Sequence, residues 1–207
     1  MVKIQKKITP YNYSKVQNKR NMWIVIHYVG ATSTAKANAQ YFYTAKRGAS
    51  ANYFVDENEI WQVVEDTDAA WHVGASKYYN SCRNNNSIGI EMCCKRKGQS
   101  WYFEPQTVQN TIELVQYLMR KYCIPIERVC RHYDVTNKMC PQPYVIDEGA
   151  WENFLKKVEN MEELTIQEKC EKIKEFYGFD DNTCKYFQFY RYNTALIDKL
   201  YEKAKNG

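Results

Sequence analysis

Histidine is scarce: the chain has three in 207 residues, so any site built on imidazoles must draw on His27, His72 and His132. No Cys-x-x-Cys pair and no His-Glu-x-x-His sequence occurs, which excludes a zinc finger and a zincin helix. No stretch approaches the ~18 apolar residues needed to span a bilayer, and no apolar run follows the opening lysines. The expectation is a chain without signal peptide or membrane helix, made in the cytoplasm. Repeats at a solenoid period and low-complexity segments are also missing. Charge of one sign is weak: 29 Lys+Arg against 24 Asp+Glu gives +5, with no basic run of five, which argues against a nucleic-acid partner. An anionic polymer stays open as a partner.

What is present is a 44% hydrophobic, 26% charged chain, enough for one medium domain or a domain with a small appendage. Eighteen tyrosines exceed what such a core absorbs, so some rings should sit on a surface that touches something. Eight cysteines, including Cys93-Cys94, read by default as reduced, buried thiols.

Trp23 to Val29 is a short apolar run carrying His27, which predicts a largely buried strand. Thr34 to Arg47 predicts a helix, with Thr34 able to cap it and Gly48 stopping it. Asn52–Val55 and Ile60–Val64 predict a hairpin joined by Asp56 to Glu59, a turn that lacks its usual glycine. Trp71-His72-Val73-Gly74 reads as a loop, and Ser87 to Cys93 as a strand in which the carboxylate of Glu91 needs a reason. Apolar residues from Val108 to Tyr122 recur at three- and four-residue intervals behind Pro105, predicting a helix over 105–122. Val129 to Tyr133 reads as an extended segment carrying His132, 134–144 as a loop carrying Lys138 and Cys140, and Ala150 to Val158 as a helix.

Beyond about Asn160 the character changes. Leu164–Tyr177 and Asn193–Ala204 predict helices around the aromatic stretch Tyr186 to Tyr192. The segment 160–207 carries 8 basic and 9 acidic residues, leaving 21 and 15 in 1–159, so the positive charge belongs to the first domain. A domain over 1–159 with a helical appendage over 160–207 is expected, the appendage serving packing, self-association or polymer binding.

His27, His132 and Cys140 are three candidate metal ligands, and three protein ligands with a fourth position for water is the arrangement of a catalytic zinc. Their spacing alone is weak, because a lone histidine on an apolar strand is more often a core residue. The order of the surrounding landmarks adds to it: WIVIHYVGAT ending its first strand near His27, Trp71-His72-Val73-Gly74, Ser87-Ile88-Gly89-Ile90-Glu91, and His132 ahead of Lys138-Met139-Cys140-Pro141. Over roughly residues 20–150 these resemble the zinc-dependent N-acetylmuramoyl-L-alanine amidases of the type-2 family, whose fold is shared by phage endolysins and peptidoglycan recognition proteins. One departure falls at Ser50-Ala51-Asn52-Tyr53, where the family often has Ser-x-His-Tyr; Asn52 can hydrogen-bond but cannot carry a proton.

The resemblance implies an α/β fold, a central mixed sheet flanked by helices, with Zn²⁺ held by His27, His132 and Cys140. It implies Glu91 as the base that takes a proton from the attacking water and Lys138 as the cation facing the oxyanion. His72, Trp71, Asn52, Tyr53 and Tyr28 would line the substrate groove. The implied reaction is cleavage between N-acetylmuramic acid and L-alanine in bacterial peptidoglycan, by a phage or prophage endolysin acting on the host cell wall. Three alternatives stay open: a non-catalytic peptidoglycan-binding module, a Cys140–His132 thiol hydrolase, and a cytosolic muropeptide-recycling amidase.

Overall fold

Residues 3–160, 166–189 and 193–206 are described by the structure, a computed structural model. The chain divides into two compact units, 1–160 and 161–207. In chain order the first unit holds β1 (Ile4–Lys6), β2 (Tyr13–Lys15), β3 (Trp23–Thr32), α1 (Ala35–Thr44), β4 (Tyr53–Val55), β5 (Ile60–Gln62), β6 (Asp68–Ala70), β7 (Ser87–Lys97) and β8 (Ser100–Tyr102). It continues with α2 (Pro105–Tyr122), β9 (Val129–Arg131), α3 (His132–Thr136), α4 (Gln142–Ile146) and α5 (Glu148–Glu159).

The main sheet runs β1-β5-β4-β7-β3-β9, with β8 folded back antiparallel on the end of β7. Pairs β4–β7, β7–β3, β3–β9 and β1–β5 are parallel and β4–β5 is antiparallel, so the sheet is mixed, as expected. β3 and β7 lie at its centre, and central parallel strands are covered on both faces, which is why they read as apolar runs. A separate ribbon pairs β2 with β6.

Period-two alternation sorts the side chains of these two strands between two faces. Ile24, Ile26, Ile88, Ile90 and Met92 meet Ile112, Leu114, Val115 and Leu118 of α2 and Trp151, Phe154 and Val158 of α5 in the main core. Val25, His27, Gly89 and Glu91 turn the other way, His27 standing beside Glu91 in register. On that second face Phe54 and Cys93 pack with Ala35 and Ala39 of α1. The Thr34 hydroxyl caps α1 by accepting from the Ala37 amide at 3.1 Å.

The missing hairpin glycine is replaced by a carboxylate. Asp56 Oδ1 accepts from the amides of Asn58 (2.8 Å) and Glu59 (2.7 Å), and Oδ2 accepts from the first amide of α1, Ala35, at 2.7 Å. One aspartate thereby turns the hairpin and anchors the helix entry.

Tyr53 is a correction to the sequence reading. Its ring is in the core, 2% exposed, and its hydroxyl donates to Asp66 Oδ1 at 2.8 Å. The enclosed Asp66 also accepts from Tyr122 Oη (2.7 Å), Gln62 Nε2 (3.2 Å) and Lys121 Nζ (3.2 Å). Asp66→Ala strands the Tyr53 hydroxyl without a partner and is expected to lower the unfolding free energy by about 3 kcal/mol. Urea denaturation with an unchanged slope measures it; a loss within about 0.5 kcal/mol would show the network to be energetically idle.

The second unit consists of α6 (Ile166–Tyr177), α7 (Asp181–Phe189) and α8 (Asn193–Asn206). Cys170, Ile173 and Ile197 form its centre, with Tyr177, Phe179, Phe187 and Leu200 packed on them. Lys169 pairs with Asp198 at 2.7 Å across α6 and α8. The sequence reading missed α7, which takes in the first half of the aromatic stretch; Tyr190, Arg191 and Tyr192, like Leu164 of the expected helix, lie outside the described residues. Among the described residues no helix is long and apolar enough to cross a membrane.

Candidate metal and catalytic site

β3 delivers His27 to the second face of the sheet, and the neighbouring β9 delivers His132. The expectation placed His132 within an extended segment; instead β9 ends at Arg131 and His132 opens α3. The switch is enforced locally. Asp134 Oδ2 accepts from the Arg131 amide at 2.8 Å, and the buried Arg131 guanidinium pairs with Asp134 (2.9 Å) and Glu148 (2.6 Å). After α3, Asn137 takes a left-handed conformation at φ 64°, and the Tyr133 amide donates to the Cys140 carbonyl at 2.8 Å. This closed loop turns Cys140 back towards the two histidines.

The ligand atoms of His27, His132 and Cys140 all lie within 4.8 Å of one another, and all three residues are buried. Cys140 Sγ is 3.7 Å from His27 Nδ1, and the two imidazole centroids are 4.7 Å apart. His132 Nδ1 is enclosed with no hydrogen-bond partner, a costly state for a polar atom unless something else engages it. Two imidazoles and a thiol converging in this way could hold a metal ion.

The cluster opens into a cavity of about 300 Å³. Glu91 and Lys138 join the three cluster residues in its wall, and Tyr28, Trp71 and His72 extend it. Glu91 is half-buried: its Oε2 is enclosed without a partner while the residue still reaches the cavity. A larger cavity of about 500 Å³, walled by Trp101, Phe103, Tyr144 and Phe154 among others, shares no residue with this one.

Burial sets the protonation of the side chains. It holds His27 and His72 well below the ordinary imidazole value, with further lowering of His27 by His72 and of His72 by Lys19. His132 is lowered to about 4, by burial first and then by Lys138. Glu91 is raised to about 7 by burial, against the pull of Lys138. Cys140 is pushed up to about 12 by burial and then by Glu91. At neutral pH the cluster therefore presents two neutral imidazoles and a thiol whose proton a cation would displace. The elevated thiol also removes the main support for a Cys140–His132 nucleophile pair, which needs a lowered thiol.

Three of the residues expected to line a groove do so, Tyr28, Trp71 and His72; the indole of Trp71 donates to Ser14 Oγ at 2.9 Å. Asn52 does not. It is fully enclosed, donating to the carbonyls of Val64 (3.4 Å) and Glu65 (3.3 Å) and accepting from the Gly89 amide at 3.0 Å, so it ties β7 to the chain after β5. Tyr53, with its hydroxyl on Asp66, is likewise away from the cavity. His72 lines the cavity, yet both its ring nitrogens are engaged inside the protein, Nδ1 with His27 Nε2 and Nε2 with Ser87 Oγ, each at 3.0 Å. Ser87 opens the landmark string that ends at Glu91, but nothing in the sequence places it at the site.

Residues 17–143 match the N-acetylmuramoyl-L-alanine amidase family. The chain is 31% identical over 175 residues to N-acetylmuramoyl-L-alanine amidase CwlL of Bacillus licheniformis, an alignment covering 78% of this chain and 48% of that protein. It thus spans about half the length of this curated relative. Among solved structures, the PlyG catalytic domain superposes with a TM-score of 0.67 at 28% identity, covering 79% of this chain and 98% of that domain. A mutant endolysin from Bacillus subtilis gives 0.63 at 26% identity, covering 76% and 99%. The fold agrees with these likenesses, and the chain belongs to the N-acetylmuramoyl-L-alanine amidase family.

Proposed function

We propose that this chain hydrolyses the amide between N-acetylmuramic acid and L-alanine in bacterial peptidoglycan, with zinc held by His27, His132 and Cys140. The observation that carries the reading is the convergence of two imidazoles and a thiol beside the unpartnered carboxylate oxygen of Glu91 in one cavity, in a chain of this family. A nitrogen- and sulfur-containing donor set suits zinc better than magnesium or calcium, which prefer oxygen. Bound there, zinc would supply Lewis acidity, polarising the scissile carbonyl and acidifying a water. Glu91 takes the proton from the attacking water and returns it to the leaving amine, burial making it a stronger base than an exposed carboxylate. Lys138 reaches the same cavity and offers its ammonium to the negative charge that develops on the carbonyl oxygen. Tyr28 and Trp71 give the groove aromatic walls for a glycan bearing a peptide.

The biological setting we assign is the bacterial cell wall, with an endolysin-type role. Self-association through the three-helix unit is part of the same proposal, and sedimentation of the full chain tests it. Activity on intact sacculi supports the wall assignment, whereas cleavage of soluble muropeptides alone would point to recycling.

Zinc uptake near pH 8.5 is expected to release the thiol proton of Cys140, because His27 and His132 are already neutral, together with a proton from the water that the ion acidifies. Near pH 6 the release should approach about two, since Glu91 is then mostly protonated and the cation pulls its value down. Calorimetry in buffers of different ionisation enthalpy reads both numbers. Cys140→Ala should lower the release at the higher pH by about one proton per bound ion; an unchanged release would refute Cys140 as a ligand.

A further inference from the structure

The proton positions around His27 follow from a single hydroxyl. Ser87 Oγ lies 2.6 Å from the Arg83 carbonyl oxygen and 3.0 Å from His72 Nε2. A carbonyl only accepts, so the one hydroxyl proton goes to Arg83, and towards His72 the same oxygen is the acceptor. His72 therefore carries its proton on Nε2, and in the neutral ring Nδ1 is a bare lone pair. That Nδ1 is 3.0 Å from His27 Nε2, so His27 must donate from Nε2. Nδ1 of His27 is left unprotonated, on the side of the ring where Cys140 Sγ lies 3.7 Å away.

We propose that Ser87 and His72 are positioning residues that lock His27 into the one tautomer whose Nδ1 can bind a metal ion. The inference rests on the reading of His27 as a ligand. Ligating histidines in general have the far nitrogen fixed by a hydrogen bond, most often to a carboxylate or carbonyl; here the partner is a second imidazole, itself fixed by a serine.

The surroundings are built around this relay. A Cβ on Gly89 would come within 2.6 Å of His72 Cγ and 2.7 Å of its Nδ1, so only glycine lets the ring lie against β7. Asn84 Oδ1 accepts from the amides of His72 (3.1 Å) and Val73 (2.9 Å), which fixes the loop carrying the ring. Asn52 holds Gly89 from the far side, accepting from its amide and donating to its carbonyl, each at 3.0 Å. His72 is 8% exposed and Ser87 is fully enclosed, so bulk water does not compete for these contacts.

The three histidines of the chain all lie at this site, so ¹⁵N spectra of the histidine-labelled, metal-free full chain report on nothing else. Both His27 and His72 are expected to carry their proton on Nε2. Ser87→Ala removes the acceptor and frees His72 to turn its proton towards His27; zinc affinity, by competition with a chelator, should fall about 10–100-fold, with a new Nδ1-protonated His27 signal. Ser87→Thr, which keeps the hydroxyl, should restore both affinity and spectrum, a rescue that a purely structural role for the serine would not produce with the tautomer signal. Wild-type His27 protonated on Nδ1 would overturn the inference, as would Ser87→Ala with unchanged tautomer and affinity. If Ser87→Ala does not fold, the wild-type tautomers alone decide. Full zinc retention by His27→Ala would instead refute the ligand reading beneath it.

Discussion

Glu91→Gln is expected to lower turnover of purified cell wall by about 10²–10⁴-fold while the metal content stays that of the wild type. Glutamine has the same shape and still hydrogen-bonds, but it cannot take a proton from water at neutral pH. Glu91 of β7 stands outside the cluster of ligand atoms, in register beside His27 on β3 and Phe54 on β4. Its removal therefore separates proton transfer from metal binding. The pH dependence carries the same signature. The carboxylate acts as a base only when ionised, so wild-type activity falls as pH drops through its value, and a cation nearby moves that limb below the value of about 7 held by the side chains alone. Stability moves oppositely. A carboxyl raised in the folded state costs stability at pH above its folded value and costs nothing below its unfolded one, so metal-free Glu91→Gln should gain stability, more at pH 8 than at pH 4. A fully active Glu91→Gln protein would remove the base assignment.

Loss of any cluster residue is the second large effect. His27→Ala, His132→Ala and Cys140→Ala are each expected to weaken zinc binding by more than about 100-fold, because hydrogen-bond partners behind a ligand are alone worth about 10–100-fold. Activity should vanish with the metal, and a strong chelator should reproduce the loss in the wild type, reversibly on adding zinc. Thermal unfolding without metal should change much less for His132→Ala than for a core truncation such as Phe154→Ala, which empties a fully enclosed ring site at a cost of about 3–5 kcal/mol. Activity that persists after complete metal removal would return the chemistry to the thiol of Cys140, against the burial that holds it protonated.

The main elements were legible where the physics is local. Pro105 at the start and an apolar stripe of helical period place α2 at 105–122 in sequence and structure alike. β3 and β7 were visible as apolar runs because neighbours cover both their faces, but each extends past the predicted end, to Thr32 and Lys97, where residues turn exposed and the pattern fades. β1, β2, β6 and β8 are as short as β4, β5 and β9 but lack a legible apolar run of their own, and they exist through partners distant in sequence or, for β8, through a fold-back onto β7. The three cluster residues and the placement of Glu91 were readable from the order of motifs, since each sits in or next to a distinctive string. What sequence could not tell was which motif residues face inward. Asn52 and Tyr53 sit beside the site in the string yet are consumed by hydrogen bonds to Gly89 and Asp66, and the nitrogens of His72 point at His27 and Ser87 instead of a ligand.

The most direct test of the whole account joins elemental analysis of the purified full chain with mass spectrometry of peptidoglycan digested by wild type and by Glu91→Gln. About one zinc ion per chain is expected in both proteins, and new L-alanine amino termini, cut from muramic acid, only with wild type. Zinc present with no cut in either digest would make the chain a wall-binding module, and a cut made without zinc would contradict the metal centre itself.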